Sequence, residues 1–145
     1  MKGALYLESS AIVRVTVERH PLLRARIEAA RKVTTSTLME TETRRAIVRA
    51  EREGRIDGRQ RRESEAWLGT IVRVCEIVSM DDAILARAAA DFPVEPVRTL
   101  DAIHLASALH WAEAIGTLTM VSCDDRVREN AKAFGWKVLP VSARS

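Results

Sequence analysis

Aromatic residues, cysteines and long apolar runs are all scarce in this chain of 145 residues. Aromatic side chains make up only 4% of it, so the core must be aliphatic and few rings remain to stack on nucleic acid bases. The two cysteines, Cys75 and Cys123, are too few for a disulfide framework and lack the spacing of metal ligands. No apolar run approaches the roughly 20 residues that span a bilayer, and the first residues lack the features of a signal peptide. We therefore expect a cytoplasmic protein that does not enter a membrane.

The chain has an ordinary balance of apolar and charged residues. Hydrophobic residues make up 47% and charged residues 30%, which is typical of a globular protein, and the length fits one domain over 1–145. The net charge of +3 permits a polyanionic partner without requiring one. Basic residues concentrate in one segment, where we expect most to form a solvated helical face and a few to contact phosphate. They are Arg44, Arg45, Arg49, Arg52, Arg55, Arg59, Arg61 and Arg62.

Short apolar segments alternate with helical patterns along the chain. The segments that predict strands are 4–7, 33–35, 76–79, 118–121 and 137–141. Helical patterns lie between them, and the two longest are at 37–52 and 99–115. At the start of the first of these, Thr37 followed three residues later by Glu40 predicts a capping box. The alternation predicts an α/β fold with a mostly parallel sheet and helices on both faces, although periodicity does not give the strand order.

Acidic residues fall where the predicted strands end. Glu8 follows the first strand, and Asp124 with Asp125 follows the fourth, while Asp101 lies in the first turn of one long helix and Glu42 lies one turn into the other. Sites in open parallel sheets form outside the carboxyl ends of the strands, so these side chains could converge. Carboxylates that converge repel one another and need a cation. Oxygen ligands suit Mg²⁺ or Mn²⁺, and such ions promote phosphodiester cleavage.

Each of these acids also has a simpler explanation. Asp124 could merely cap a helix, and Asp101 could form a surface ion pair with Arg98. Glu42 could pair with an arginine that follows it on the same helix. The spacing of the acids therefore leaves both interpretations open.

Four segments resemble, in order, the motifs of PIN-domain nucleases. They are Leu-Tyr-Leu-Glu-Ser-Ser-Ala-Ile-Val at 5–13, Thr-Ser-Thr-Leu-Met-Glu-Thr-Glu at 35–42, Arg-Thr-Leu-Asp-Ala-Ile-His-Leu-Ala at 98–106 and Val-Ser-Cys-Asp-Asp-Arg at 121–126. The third and fourth segments are the most specific, and the four together cover nearly the whole chain. The overall length is similar to that of VapC-type toxins of toxin–antitoxin pairs.

The resemblance implies a PIN-like domain with a five-stranded sheet and a Mg²⁺- or Mn²⁺-dependent endoribonuclease that acts on transfer or ribosomal RNA. It also implies a homodimer that is silenced by a cognate VapB-like antitoxin. The acids of the metal site would be Glu8, Glu42, Asp101 and Asp124, with Asp125 assisting. We expect support of these acids, or contact with RNA, from Ser10, Arg98, His104, Arg45 and Arg49.

The first motif departs from the family pattern, which has aspartate where this chain has Glu8. Glutamate adds a methylene and moves the carboxylate by about a bond length, and Mg²⁺ sites tolerate little distortion. The alternative function is therefore a catalytically weakened module of the same fold that binds RNA or an antitoxin. A phosphoacceptor receiver-like domain ranks lower, because its acidic pair should follow the first strand rather than a late one.

Overall fold

The computed structural model describes residues 3–142, which form five strands and seven helices. The strands are β1 (Ala4–Leu7), β2 (Val33–Ser36), β3 (Glu76–Val78), β4 (Leu118–Val121) and β5 (Lys137–Leu139). The helices are α1 (Ser9–Thr16), α2 (Pro21–Glu28), α3 (Leu38–Arg52), α4 (Gly58–Val74), α5 (Asp82–Ala88), α6 (Thr99–Ile115) and α7 (Asp125–Ala133). None of the helices in this part of the chain is long and apolar enough to cross a membrane.

All five strands are parallel, and their order in the sheet is β3-β2-β1-β4-β5. The chain therefore builds outward from β1 to β3 on one side and then crosses to β4 on the other side of β1. This reversal makes the gap between β1 and β4 the switch point of the sheet, where ligands bind outside the carboxyl ends of the strands. Leu7 pairs with Val121 there, so the residues that follow the two strands must emerge side by side.

Helices cover both faces of the sheet, because alternate residues of β1 point into two different cores. Leu5 and Leu7 belong to a buried cluster with side chains of α1, α3 and α4. Ala4 and Tyr6 belong to a second cluster, which α6 and α7 supply. The prediction of a five-stranded, mostly parallel sheet between two helical layers is confirmed.

Two local predictions differ from the structure. The capping box at the start of α3 is wrong: the Thr37 hydroxyl donates to the carbonyl of Val78 (3.2 Å), and Glu40 pairs with Arg44 one turn later (3.0 Å). A carbonyl of the neighbouring strand and an i,i+4 ion pair thus replace the local cap. The last strand ends at Leu139, before the predicted boundary, because Pro140 has no amide hydrogen to continue the ladder.

Candidate active site

The carboxyl ends of β1 and β4 bring the first and fourth motifs together. The amide of Glu8 donates to the carbonyl of Val121 (2.9 Å), which continues the pairing of the two strands by one residue. Ser10 is tied to the other side of this junction, since the amide of Cys123 donates to its hydroxyl (2.8 Å). The start of α1 and the turn before α7 therefore form one hydrogen-bonded unit.

Glu8 is the most deeply buried of the predicted metal-site acids, with 4% of its surface exposed. Its Oε2 accepts hydrogen bonds from the amide of Ser10 (3.0 Å), from the hydroxyl of Ser10 and from the hydroxyl of Ser122 (2.9 Å). The first of these bonds makes Glu8 the N-cap of α1. Burial raises the pKa of Glu8 above its ordinary value of 4.5, although His104 and these donors oppose the shift.

Glu42 faces His104 and Ser9 rather than an arginine of its own helix. Its Oε1 lies 2.6 Å from Nε2 of His104 and accepts a hydrogen bond from the Ser9 hydroxyl (2.6 Å). Burial opposes ionisation of Glu42, but the hydrogen bonds with His104 and Ser9 outweigh it and lower its pKa from 4.5. The second motif is thus joined to the first and third motifs through one carboxylate.

His104 is completely buried, and both of its ring nitrogens have partners. While Nε2 contacts Glu42, Nδ1 lies 2.8 Å from the hydroxyl of Tyr6 in β1. Nε2 is also 3.1 Å from the Ser9 hydroxyl. Both ring nitrogens are therefore within hydrogen-bond distance of a side-chain oxygen. We call Tyr6, Ser9, Glu42 and His104 the buried network.

The carboxyl of Asp101 lies within the electrostatic influence of Glu8, Glu42 and Asp124. Burial, together with the negative charges of Asp124, Glu8 and Glu42, raises its pKa from 3.8 to about 6, and His104 only partly offsets this. Asp124 is the N-cap of α7, where its carboxylate accepts from the amide of Val127 (3.0 Å). The acids therefore converge closely enough to act as one electrostatic group.

An open cavity of about 650 Å³ lies in front of this group. Asp101, Asp124 and Asp125 line it, and so does the exposed Arg98, which precedes α6. Carboxylates and an exposed guanidinium thus share one surface. Such a surface suits a ligand that carries both a phosphate and a metal ion.

The donor chemistry of the site fits a hard divalent cation. Its acids offer only oxygen, and the negative charges of Asp124, Glu8 and Glu42, which add to burial in raising the pKa of Asp101, are a repulsion that a cation would relieve. Within residues 3–142, however, no three His, Cys, Asp or Glu side chains are already close enough to hold a metal ion. Binding would therefore require rotation of side chains, and the half-buried Asp101 and Asp124 are better placed to rotate than Glu8.

The simpler explanations given by the sequence hold only for part of the site. Asp124 does cap its helix. The pKa of Asp101, however, is shifted by burial, by other carboxylates and by His104, and the pKa of Glu42 is shifted by burial, His104 and Ser9. The expected arginine partners therefore do not account for either acid. Arg45 and Arg49 are instead exposed on α3, beyond Glu42.

Sequence reasoning did not single out three residues that support the acids: Ser122, Ser9 and Tyr6. Ser122 was detectable as the hydroxyl residue two positions before Asp124, at the end of a buried strand. Tyr6 was detectable as the one phenol within an otherwise aliphatic strand. Ser9 carried no comparable signal, because its contacts are to residues 33 and 95 positions away.

Comparisons with known proteins agree with this arrangement. The family model described as PIN domain matches residues 5–133. Ribonuclease VapC46 of Mycobacterium tuberculosis (strain ATCC 25618 / H37Rv) is 33% identical over 143 residues, which cover 97% of this chain and 99% of that protein. Two solved structures share the fold. PAE2754 from Pyrobaculum aerophilum has a TM-score of 0.63 at 18% identity, covering 94% of this chain and 84% of its own. VapBC-1 from nontypeable Haemophilus influenzae has a TM-score of 0.59 at 9% identity, with 98% and 99% covered.

Proposed function

The chain belongs to the PIN-domain family, and we propose on this premise that it is an endoribonuclease, the toxin of a toxin–antitoxin pair. The similarity to a protein named ribonuclease, over nearly the full length of both chains, supports RNA as the substrate. The observation that carries the proposal is the convergence of acids from three motifs on Asp101, whose negative charges add to burial in raising the pKa of Asp101 to about 6. Carboxylates with pKa values shifted in this way cluster at functional sites.

The residues that would hold Mg²⁺ or Mn²⁺ are Glu8, Glu42, Asp101 and Asp124, with Asp125 assisting. A bound ion would neutralise these carboxylates and supply Lewis acidity toward water and the phosphodiester. The surrounding side chains keep the acids oriented: Ser10 and Ser122 hold Glu8, and His104 holds Glu42. Arg98, at the mouth of the cavity, would bind a phosphate of the RNA.

The partners that the resemblance implies remain part of this proposal. A cognate VapB-like antitoxin would silence the enzyme, and the similarity to the VapBC-1 structure supports such a partner. The RNA would be transfer or ribosomal RNA, which would place the protein in the cytoplasm. We also propose a homodimer with the whole chain acting as one functional unit.

The glutamate at position 8 is accommodated by its surroundings, so no observation favours a weakened binding module. Three donors converge on one oxygen of Glu8, and an aspartate would draw that oxygen back from Ser122 by about a bond length. Glu8→Asp should therefore lower the free energy of unfolding by about 1 kcal/mol and leave RNA cleavage at or below the original rate. Urea unfolding and a gel-based cleavage assay measure both. Faster cleavage by the variant would show that the glutamate weakens the site.

Calorimetric titration with Mn²⁺ tests the proposed site with a closely matched control. Asp124 and Asp81 each cap a helix, through bonds of 3.0 Å to Val127 and Ile84. Asp124→Ala and Asp81→Ala should therefore each lose about 1 kcal/mol of stability through the missing cap. Only Asp124→Ala should lose Mn²⁺ binding. Equal Mn²⁺ affinities in the two variants would remove Asp124 from the site, and no binding by the unaltered protein would favour the binding module.

A further inference from the structure

One exposed stripe of α3 carries three arginines in line with Glu42. Arg45, Arg49 and Arg52 are spaced by four and three residues, so they lie on the same side of the helix, and Glu42 continues that stripe toward the site. All three arginines are exposed, whereas Glu42 is half-buried. We call Arg45, Arg49 and Arg52 the arginine stripe.

Most of the other arginines in this segment have an acidic partner, whereas the arginine stripe and Arg62 have none among residues 3–142. Arg44 pairs with Glu40 (3.0 Å), Arg55 with Glu53 (3.1 Å) and Arg59 with Glu63 (3.0 Å). Arg61 bridges Glu51 and Glu65 (2.8 and 2.7 Å). Across residues 3–142, no ion pair or side-chain hydrogen bond involves the arginine stripe. The segment therefore contains four neutralised arginines, and Arg45, Arg49 and Arg52 are the arginines without a partner that share one side of α3.

This arrangement disfavours the free helix and favours an anionic ligand. Like charges four residues apart, as in Arg45 and Arg49, cost an isolated helix about 0.2–0.5 kcal/mol. Because a helix rises 1.5 Å per residue, the stripe runs about 15 Å from Glu42 to Arg52, long enough for successive phosphates of one strand. The low aromatic content, 4%, leaves phosphate contact as the main means of holding RNA.

We propose that the arginine stripe is the track on which the backbone of a single RNA strand lies as it approaches Glu42 and the other acids of the site. This inference rests on the proposed ribonuclease function and adds the path of its substrate. The track binds phosphates and is therefore indifferent to base sequence. The residues that select the RNA must accordingly lie elsewhere.

Two triple variants with the same charge test the track. The track variant replaces Arg45, Arg49 and Arg52 with glutamine, and the control replaces Arg44, Arg55 and Arg59. Each loses three positive charges from a net charge of +3, so both end at zero. Glutamine is a good helix former, and circular dichroism would check the fold of both. The probe is a short fluorescein-labelled single-stranded RNA, followed by anisotropy in EDTA over a series of KCl concentrations.

The track variant should bind the RNA at least about tenfold more weakly at low salt. Its slope of log affinity against log salt should be shallower by about 2, since each phosphate contact on a single strand contributes about 0.7. Arg49→Gln alone should lower the slope by about 0.7, which keeps the test sharp if the triple variant unfolds. The control should keep the slope of the unaltered protein.

The proposed track would be overturned if the track variant kept the salt dependence of the unaltered protein, or if both variants lost the same amount of RNA affinity. Parallel cleavage assays with Mn²⁺ separate that result from failure of the proposed function. The track variant should show a higher KM with kcat retained, because the arginines bind RNA but do not touch the reacting phosphate. If the unaltered protein cleaves RNA while the slopes match, only the track fails. If it neither binds nor cleaves RNA, the track and the ribonuclease proposal fail together.

Discussion

Asp101→Asn should lower RNA cleavage by at least about a hundredfold while leaving the fold intact. Asparagine has the same shape but carries no charge, so it removes the acid on which the fields of Asp124, Glu8 and Glu42 converge. A matched control is Asp82→Asn, which changes an exposed aspartate in the first turn of α5. The control should cleave RNA at the original rate. Full activity of Asp101→Asn in a gel-based assay would exclude Asp101 from the proposed mechanism.

The same substitution should change how stability depends on pH when metal is chelated. Because the pKa of Asp101 is raised from 3.8 to about 6, the folded state binds this proton more tightly than the unfolded state does. The contribution of Asp101 is thus most favourable below the ordinary value and is lost as the pH rises toward about 6. Asparagine does not ionise, so Asp101→Asn removes this decrease in stability with rising pH.

At neutral pH in EDTA, Asp101→Asn should therefore be more stable than the original protein. The gain should be on the order of 1 kcal/mol, after allowance for solvent screening of a half-exposed group. Urea unfolding at a series of pH values measures it. The same pH dependence in both proteins would show that the acids do not converge on Asp101.

His104→Ala should lower the free energy of unfolding by about 2–4 kcal/mol, more than any of the aspartate and glutamate substitutions above. The side chain is completely buried, and its removal deletes its hydrogen bonds with the Tyr6 hydroxyl and the Glu42 carboxylate, which leaves Glu42 bonded to Ser9. Glu42 would then be held less firmly in its position, so Mn²⁺ affinity should fall by about 10- to 100-fold. Urea unfolding and calorimetry measure the two effects separately.

Leu105→Ala is the matched control for the buried network. Leu105 is the next residue of α6, is also fully buried and belongs to the apolar core. Its truncation should cost about as much stability, 2–5 kcal/mol, without touching Glu42. If both variants lost Mn²⁺ affinity equally, His104 would act only by packing. A loss confined to His104→Ala would identify it as a positioning residue for Glu42.

The sequence predicts the strands well and shows which acids follow them, because both depend on local patterns. The run from Ala4 to Leu7 is apolar and short, so neighbouring residues are enough to predict both the strand and its end just before Glu8. The same logic places Asp124 after β4. The strand order does not follow from local patterns, since the pairing of Leu7 with Val121 joins residues more than a hundred positions apart.

Local rules fail where a residue from a distant segment competes for the same group. Thr37 and Glu40 satisfy the pattern of a capping box, but the Thr37 hydroxyl donates its hydrogen bond to the carbonyl of Val78 on the adjacent strand. Glu42 likewise has arginines one and two turns away and bonds instead to His104, 62 residues later. The sequence shows which residues carry charge, whereas the partners of these side chains depend on tertiary contacts.

Cleavage of RNA by the purified protein, with and without a chelator, tests the central claim most directly. Labelled transfer and ribosomal RNA would be incubated with Mg²⁺ or Mn²⁺, with metal plus excess EDTA, and with EDTA followed by excess Mn²⁺. We expect discrete products with metal, none with EDTA and recovery after Mn²⁺ is restored, with cleavage by Asp101→Asn slower by at least about a hundredfold. Cleavage that persists in EDTA would contradict the assignment of the acids to a metal site. Intact RNA under every condition would contradict a ribonuclease.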